Sequence, residues 1–122
     1  MSKILIADDD PVMVKLFEFN LKRKGFELVL CREGHSVAAQ AKATQPQLAI
    51  FDYMLPGRSG LELIQDFRRD EALQHLPIIV VTGQGKGSTR QDLLAAGANE
   101  VFTKPFSPTV LLARIRELLQ GA

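Results

Sequence analysis

The sequence predicts an α/β fold, a (βα)5 doubly wound parallel sheet of five strands with helices on both faces. Two observations carry that expectation. Five short apolar-rich runs alternate strictly with segments whose apolar residues recur at helical spacing. The runs at 3–7, 48–51 and 78–81 are apolar with little or no polar alternation, as strands buried on both faces are. Right-handed crossovers then make a doubly wound sheet the simplest closure, with 2-1-3-4-5 the usual strand order. Alternation alone does not fix that order. The length, 122 residues, suits one compact domain with a sizeable core.

Each element has its own local warrant. KILIA, Lys3 to Ala7, is the first strand and runs into Asp8, Asp9 and Asp10. Asp10-Pro11 is a helix start, with Asp as N-cap and Pro at the first helical position. Met13, Leu16, Phe17 and Leu21 form its core stripe, and Lys22, Arg23 and Lys24 suit the negative end of the helix dipole before Gly25 closes it. Phe26 to Cys31 is the second strand, and Ser36 to Thr44 an alanine-rich helix stopped by Pro46. The third strand, from Leu48, ends at Asp52, and Pro56, Gly57 and Gly60 punctuate the loop after it. Leu61 to Arg69 is helical, with Leu61, Leu63, Ile64 and Phe67 as its apolar positions. Ile78 to Val81 is the fourth strand, ending at Thr82, and Gly83, Gly85 and Gly87 make the next loop permissive and mobile. A short helix is expected from Ser88 to Ala96, then a fifth strand, Glu100 to Thr103, followed by Lys104-Pro105. Ser107-Pro108 starts the last helix, whose stripe is Val110 or Leu111, then Leu112, Ile115, Leu118 and Leu119.

Composition excludes several function classes. A net charge of +1 provides no strong field toward nucleic acid or anionic lipid. No apolar run is long enough to span a bilayer, and MSKILIADDD does not resemble a signal peptide, so a cytoplasmic protein is expected. The single cysteine, Cys31, cannot form an internal disulfide and reads as a buried structural thiol. His35 and His75 read as surface residues, because neither has a second histidine at ligand spacing. GQGKGST lacks the glycine spacing of a phosphate-binding P-loop.

The chemistry-bearing residues stand at the carboxyl ends of strands, where ligands gather in open α/β sheets. Strand one provides Asp8 and Asp9, strand three Asp52, strand four Thr82 and strand five Lys104. In the order 2-1-3-4-5 those four strands are neighbours, so their ends would share one cleft. Taken singly, each residue fits a solvated turn or a surface lysine; five at four adjacent strand ends fit that reading poorly. Clustered carboxylates repel, and a hard divalent cation relieves the repulsion; oxygen ligands that leave room for water favour Mg2+.

Together, ILIADDD, FDYMLPGRSG, VVTG and GANEVFTKPF resemble the response-regulator receiver domains of bacterial two-component signalling, across essentially the whole chain. The resemblance implies a flavodoxin-like, chemotaxis-regulator-like fold filling residues 1–122 as a single receiver domain. It implies that Asp52 accepts a phosphoryl group from a phosphohistidine on a sensor histidine kinase or phosphotransfer protein. It makes Asp8, Asp9 and Asp52, with the backbone carbonyl of Met54, the ligands of Mg2+. Thr82 would bond one phosphoryl oxygen and Lys104 another, with a cis peptide at Lys104-Pro105. It also implies partner binding that depends on Asp52: an effector domain or target protein, or a second copy docked through the fourth helix, fifth strand and fifth helix. Nucleic acid is not expected to bind this domain directly. The chain would be no enzyme beyond its own phosphoryl transfer and slow autodephosphorylation.

Two positions depart from the family pattern. Val101 stands where receivers carry an aromatic ring that swings inward after phosphorylation, and Phe102, one position on, points to the opposite sheet face. Met54 is apolar where a polar residue is frequent, while Gly83 is small, as the family requires. The competing classes are a phosphorylation-independent interaction module with the receiver fold, favoured mildly by Val101, and an Asp-nucleophile phosphatase, disfavoured because no acid-base carboxylate stands at position 54. The chain ends at Gly121-Ala122, just after the last helix, so no effector domain is expected within it. Either a stand-alone receiver or part of a longer regulator fits.

Overall fold

The computed structural model of the chain describes residues 2–83 and 88–120. Five parallel strands, β1 (Lys3–Ala7), β2 (Glu27–Cys31), β3 (Leu48–Asp52), β4 (Ile78–Thr82) and β5 (Glu100–Thr103), form one sheet in the order β2-β1-β3-β4-β5. The expected order is therefore the observed one. Crossover helices are α1 (Pro11–Phe17), α2 (Val37–Thr44), α3 (Gly60–Arg69), α4 (Arg90–Ala96) and α5 (Pro108–Gln120). All five residues of β3 are buried, as its unbroken apolar run predicts.

Alternate side chains of each strand feed two cores. One holds Leu5, Ala49, Phe51, Val80 and Val101 with Leu63, Ile64 and Phe67 of α3 and Leu93 of α4. The other holds Ile4, Ile6, Ile50, Ile79 and Val81 with Met13 and Phe17 of α1 and Leu111 and Ile115 of α5. Aromatic packing runs through both: Phe51 meets Phe67 edge-on at 4.9 Å, and Phe17 stacks on Phe106 at 6.2 Å.

Local starts follow the sequence. Asp10 caps α1 through its side chain, with Pro11 at the first helical position. Capping boxes begin α3, from Ser59 and Glu62, and α4, from Thr89 and Asp92. Four details differ from expectation. The first helix continues as a π-helical segment over Glu18–Lys22. The second strand begins at Glu27, leaving Phe26 to pack beneath it. Residues 34–36 form a 3-10 turn ahead of α2. Thr89 caps α4, so that helix starts at Arg90 instead of Ser88. The stripe of α5 resolves to Leu111, with Val110 exposed. Of the glycine loop expected to be mobile, residues 84–87 lie outside the described residues.

Candidate functional site at the carboxyl ends of the strands

Parallel pairing lines up the carboxyl ends of β1, β3, β4 and β5, and the residues just beyond them share one end of the sheet. The three aspartates after β1 take three different tasks. Asp8 is 2% exposed, and its Oδ1 accepts the N–H of Asp10 at 2.9 Å. Asp9 is exposed, yet offers an oxygen to the same space. Asp10 accepts from the N–H of Val12 and so is committed to α1.

Asp52, at the end of the fully buried β3, is 6% exposed. Its Oδ1 lies 3.5 Å from Lys104 Nζ and accepts the N–H of Met54 at 3.3 Å. Both contacts use one oxygen, which leaves the other available for chemistry. Lys104 follows β5, its N–H donates to the carbonyl of Thr82 at 2.8 Å, and its peptide bond to Pro105 is cis. The Thr82 hydroxyl donates to the Gly83 carbonyl at 3.1 Å, so it is turned into its own loop.

The carboxylates of Asp8, Asp9 and Asp52 bring oxygens within 4.8 Å of one another. Burial pushes the Asp8 carboxyl up to about 6; the Asp10 N–H and Lys104 oppose this, and the charge of Asp52 adds to it. Oxygens sharing one Mg2+ at about 2.1 Å from it stand up to about 4.2 Å apart. The three carboxylates keep within a bound close to that span, and an all-oxygen donor set suits a hard cation. The residues therefore fit such an ion.

A family model described as the response regulator receiver domain matches residues 4–116. The chain belongs to the response regulator receiver domain family. The phosphate regulon transcriptional regulatory protein PhoB of Rhizobium meliloti (strain 1021) is 36% identical over 122 residues, covering 100% of this chain and 54% of that protein. The chain thus spans about half the length of such relatives. Among solved structures, the BeF3-activated N-terminal receiver domain of Klebsiella pneumoniae RstA superposes with a TM-score of 0.88 at 30% identity, covering 97% of this chain and 98% of that one. A CheY-like receiver domain protein from Methanospirillum hungatei JF-1 gives 0.89 at 29%, covering 99% and 95%.

The remaining positions singled out in this receiver domain fall outside the carboxylate cluster. Val101 is buried in the core cluster on the α3–α4 side that also holds Leu93 and Ala98, while Phe102 lies on the opposite face against Phe106, 6.0 Å between ring centroids. The Met54 side chain is 71% exposed. His35 and His75 are both exposed. Cys31 is buried, and burial pushes its thiol up to about 11.

Two arrangements near the site were not legible from spacing. The Tyr53 hydroxyl reaches across to Ser88, ahead of α4. Arg90 donates to the Val101 carbonyl at 2.6 Å and pairs with Glu100, which also pairs with Arg114 of α5. The DY dipeptide at a strand end was the one available cue to the first. The partners in both lie far apart in sequence, which periodicity cannot read.

Proposed function

We propose that the chain is a phospho-accepting signalling receiver in which Asp52 takes a phosphoryl group from a phosphohistidine on a sensor histidine kinase or phosphotransfer protein. The observation that carries this reading is the juxtaposition of three carboxylates with an ammonium 3.5 Å from Asp52 Oδ1. Asp8, Asp9 and Asp52, with the Met54 carbonyl, are the proposed holders of Mg2+, which when bound neutralises charge developing on the phosphoryl oxygens.

In the transfer, an Asp52 oxygen attacks phosphorus. A P–O bond forms as the P–N bond to the donor imidazole breaks, and the electron pair leaves with that nitrogen, which takes up a proton. Lys104 pairs with one phosphoryl oxygen, and the Thr82 hydroxyl turns from Gly83 to donate to another. Water later hydrolyses the acyl phosphate slowly, with Met54 beside the acceptor governing its approach. The domain catalyses only these steps on itself. Buried carboxylates alone would cost stability without a cation or a reaction to serve, so the phosphorylation-independent module is the weaker reading.

Residues 1–122 are read as a single receiver domain acting in the cytoplasm, and no helix among the described residues is long and apolar enough to cross a membrane. Output would pass to an effector domain or target protein. Self-association through α4, β5 and α5 is the associated proposal, supported by the exposed Val110 beside the Arg90–Glu100–Arg114 ion pairs.

Intact-mass measurement after incubation with acetyl phosphate and Mg2+ tests the reading. One added phosphoryl group is expected on the wild type and none on Asp52→Asn; equal labelling of both would remove Asp52 from its assigned role.

A further inference from the structure

Tyr53 directly follows the acceptor in the chain, and its placement is fixed from several sides. Its N–H donates to the carbonyl of Val81 at 2.9 Å, which registers it against β4 one residue before Thr82. Its carbonyl accepts the N–H of Gly60 at 2.9 Å, and a Cβ at Gly60 would come within 2.9 Å of Tyr53 Cα. The ring packs against the core cluster that contains Val101 and Leu93. At its far end the hydroxyl accepts the N–H of Ser88 at 2.9 Å and lies 3.0 Å from Ser88 Oγ. Ser88 immediately precedes Thr89, the N-cap of α4. One side chain thus spans from the acceptor's neighbour to the start of α4.

We propose that Tyr53 is a positioning residue whose hydroxyl holds the start of α4 in the unphosphorylated arrangement, and that phosphorylation of Asp52 breaks the Tyr53–Ser88 pair. The inference rests on the receiver reading of Asp52. The state assignment comes from a coincidence within one structure: the pair is formed while the Thr82 hydroxyl bonds the Gly83 carbonyl. A phosphoryl group draws that hydroxyl toward Asp52 and moves the exit of β4, the strand whose continuation carries Ser88. Tyr53 cannot follow, because its backbone is fastened to Val81 and Gly60. A contact present in only one of two arrangements biases their equilibrium, and its loss shifts the balance to the other. Val101 leaves β5 without a ring for this task, so the ring that couples the acceptor to α4 comes from the end of β3.

Tyr53→Phe retains the ring and removes the hydroxyl, and Ser88→Ala removes only the hydroxyl partner while the Ser88 position keeps its N–H. The rate of Asp52 phosphorylation by acetyl phosphate, followed by intact mass, is expected to rise about fivefold in Tyr53→Phe, the effect of losing one net hydrogen bond from the resting arrangement. Ser88→Ala is expected to give a smaller rise. Hydrogen exchange at the position-88 amide reads the pair directly. It is expected to be slow in the wild type, fast after beryllofluoride and Mg2+ are added, and fast in Tyr53→Phe under both conditions. A structural role alone would lower the melting temperature without raising the phosphorylation rate. Wild-type labelling with an unchanged or lower rate in Tyr53→Phe, or a position-88 amide that stays protected with beryllofluoride, overturns the positioning role and leaves the receiver reading standing. Failure of the wild type to label overturns both.

Discussion

Asp8 shows how burial sets the behaviour of a single residue. Its carboxyl is pushed from the ordinary 3.8 up to about 6, chiefly by burial. The metal-free native state therefore binds this proton more tightly than the unfolded chain does. Ionised Asp8 costs stability on the order of 3 kcal/mol, a cost fully present above about pH 6 and absent below about 3.8. With EDTA present, the melting temperature is expected to rise as pH falls from 7 to 5, as far as Asp8 controls it. Asp8→Asn keeps an oxygen for the Asp10 N–H, so it is expected to melt higher than wild type at pH 7, to lose that rise on acidification, and to bind Mg2+ more weakly. Asp9→Ala is expected to weaken Mg2+ binding with little change in metal-free melting, because Asp9 is exposed. Strong destabilisation of either variant without metal would make these aspartates structural caps. The sequence made the cluster legible because parallel strands align their carboxyl ends. Pro11 marked Asp10 as the cap of α1, but the sequence could not tell the buried Asp8 from the exposed Asp9, since which carboxylate turns inward depends on turn geometry that identical side chains do not encode.

Between elements, Arg68 joins the end of α3 to both flanks of β4. Its guanidinium donates to the carbonyls of Gln74 and Leu76 at 2.8 Å, to Gly97 at 2.8 and 3.1 Å, and to Asn99 Oδ1 at 3.0 Å. Gly97 has a φ of +126, and a Cβ there would meet the Arg68 side chain at 2.8 Å, so two separate constraints demand glycine. Arg68→Ala strips these carbonyls of their donor and is expected to cost about 2–3 kcal/mol in urea unfolding. Arg68→Lys is expected to recover little of it, because a single ammonium cannot span the same acceptors. In the sequence, Arg68 read only as a polar position of the helical run ending at Arg69. The π-helical turn at Glu18–Lys22 was equally hidden, since one inserted position changes the local period without removing the apolar stripe. Val110 and Leu111 were both open as core positions because adjacent aliphatics differ by only part of a turn; packing chose Leu111.

For the molecule as a whole, the two cores on either side of the sheet constrain how a signal can spread. Val101 is buried among well-packed neighbours, and a valine is too short to fill the space that a moving Thr82 vacates. Beryllofluoride with Mg2+ is therefore expected to shift NMR resonances most between Thr82 and Arg90 and little around Val101. Large changes at Val101 and Phe102 with a quiet segment after Gly83 would refute a loop-centred response. The strand order has a further consequence, for the growing chain on the ribosome. β1 is made before the other strands yet ends up inside the sheet, with β2 on one side and β3 on the other. The β1–α1–β2 crossover can close once Cys31 has emerged, but one side of Ile4 to Ala7, wholly apolar, stays bare until Leu48 to Asp52 is made. A stall in translation between those points would leave an unpaired hydrophobic strand exposed to other nascent chains, so synthesis is most hazardous just before Leu48 to Asp52 is made.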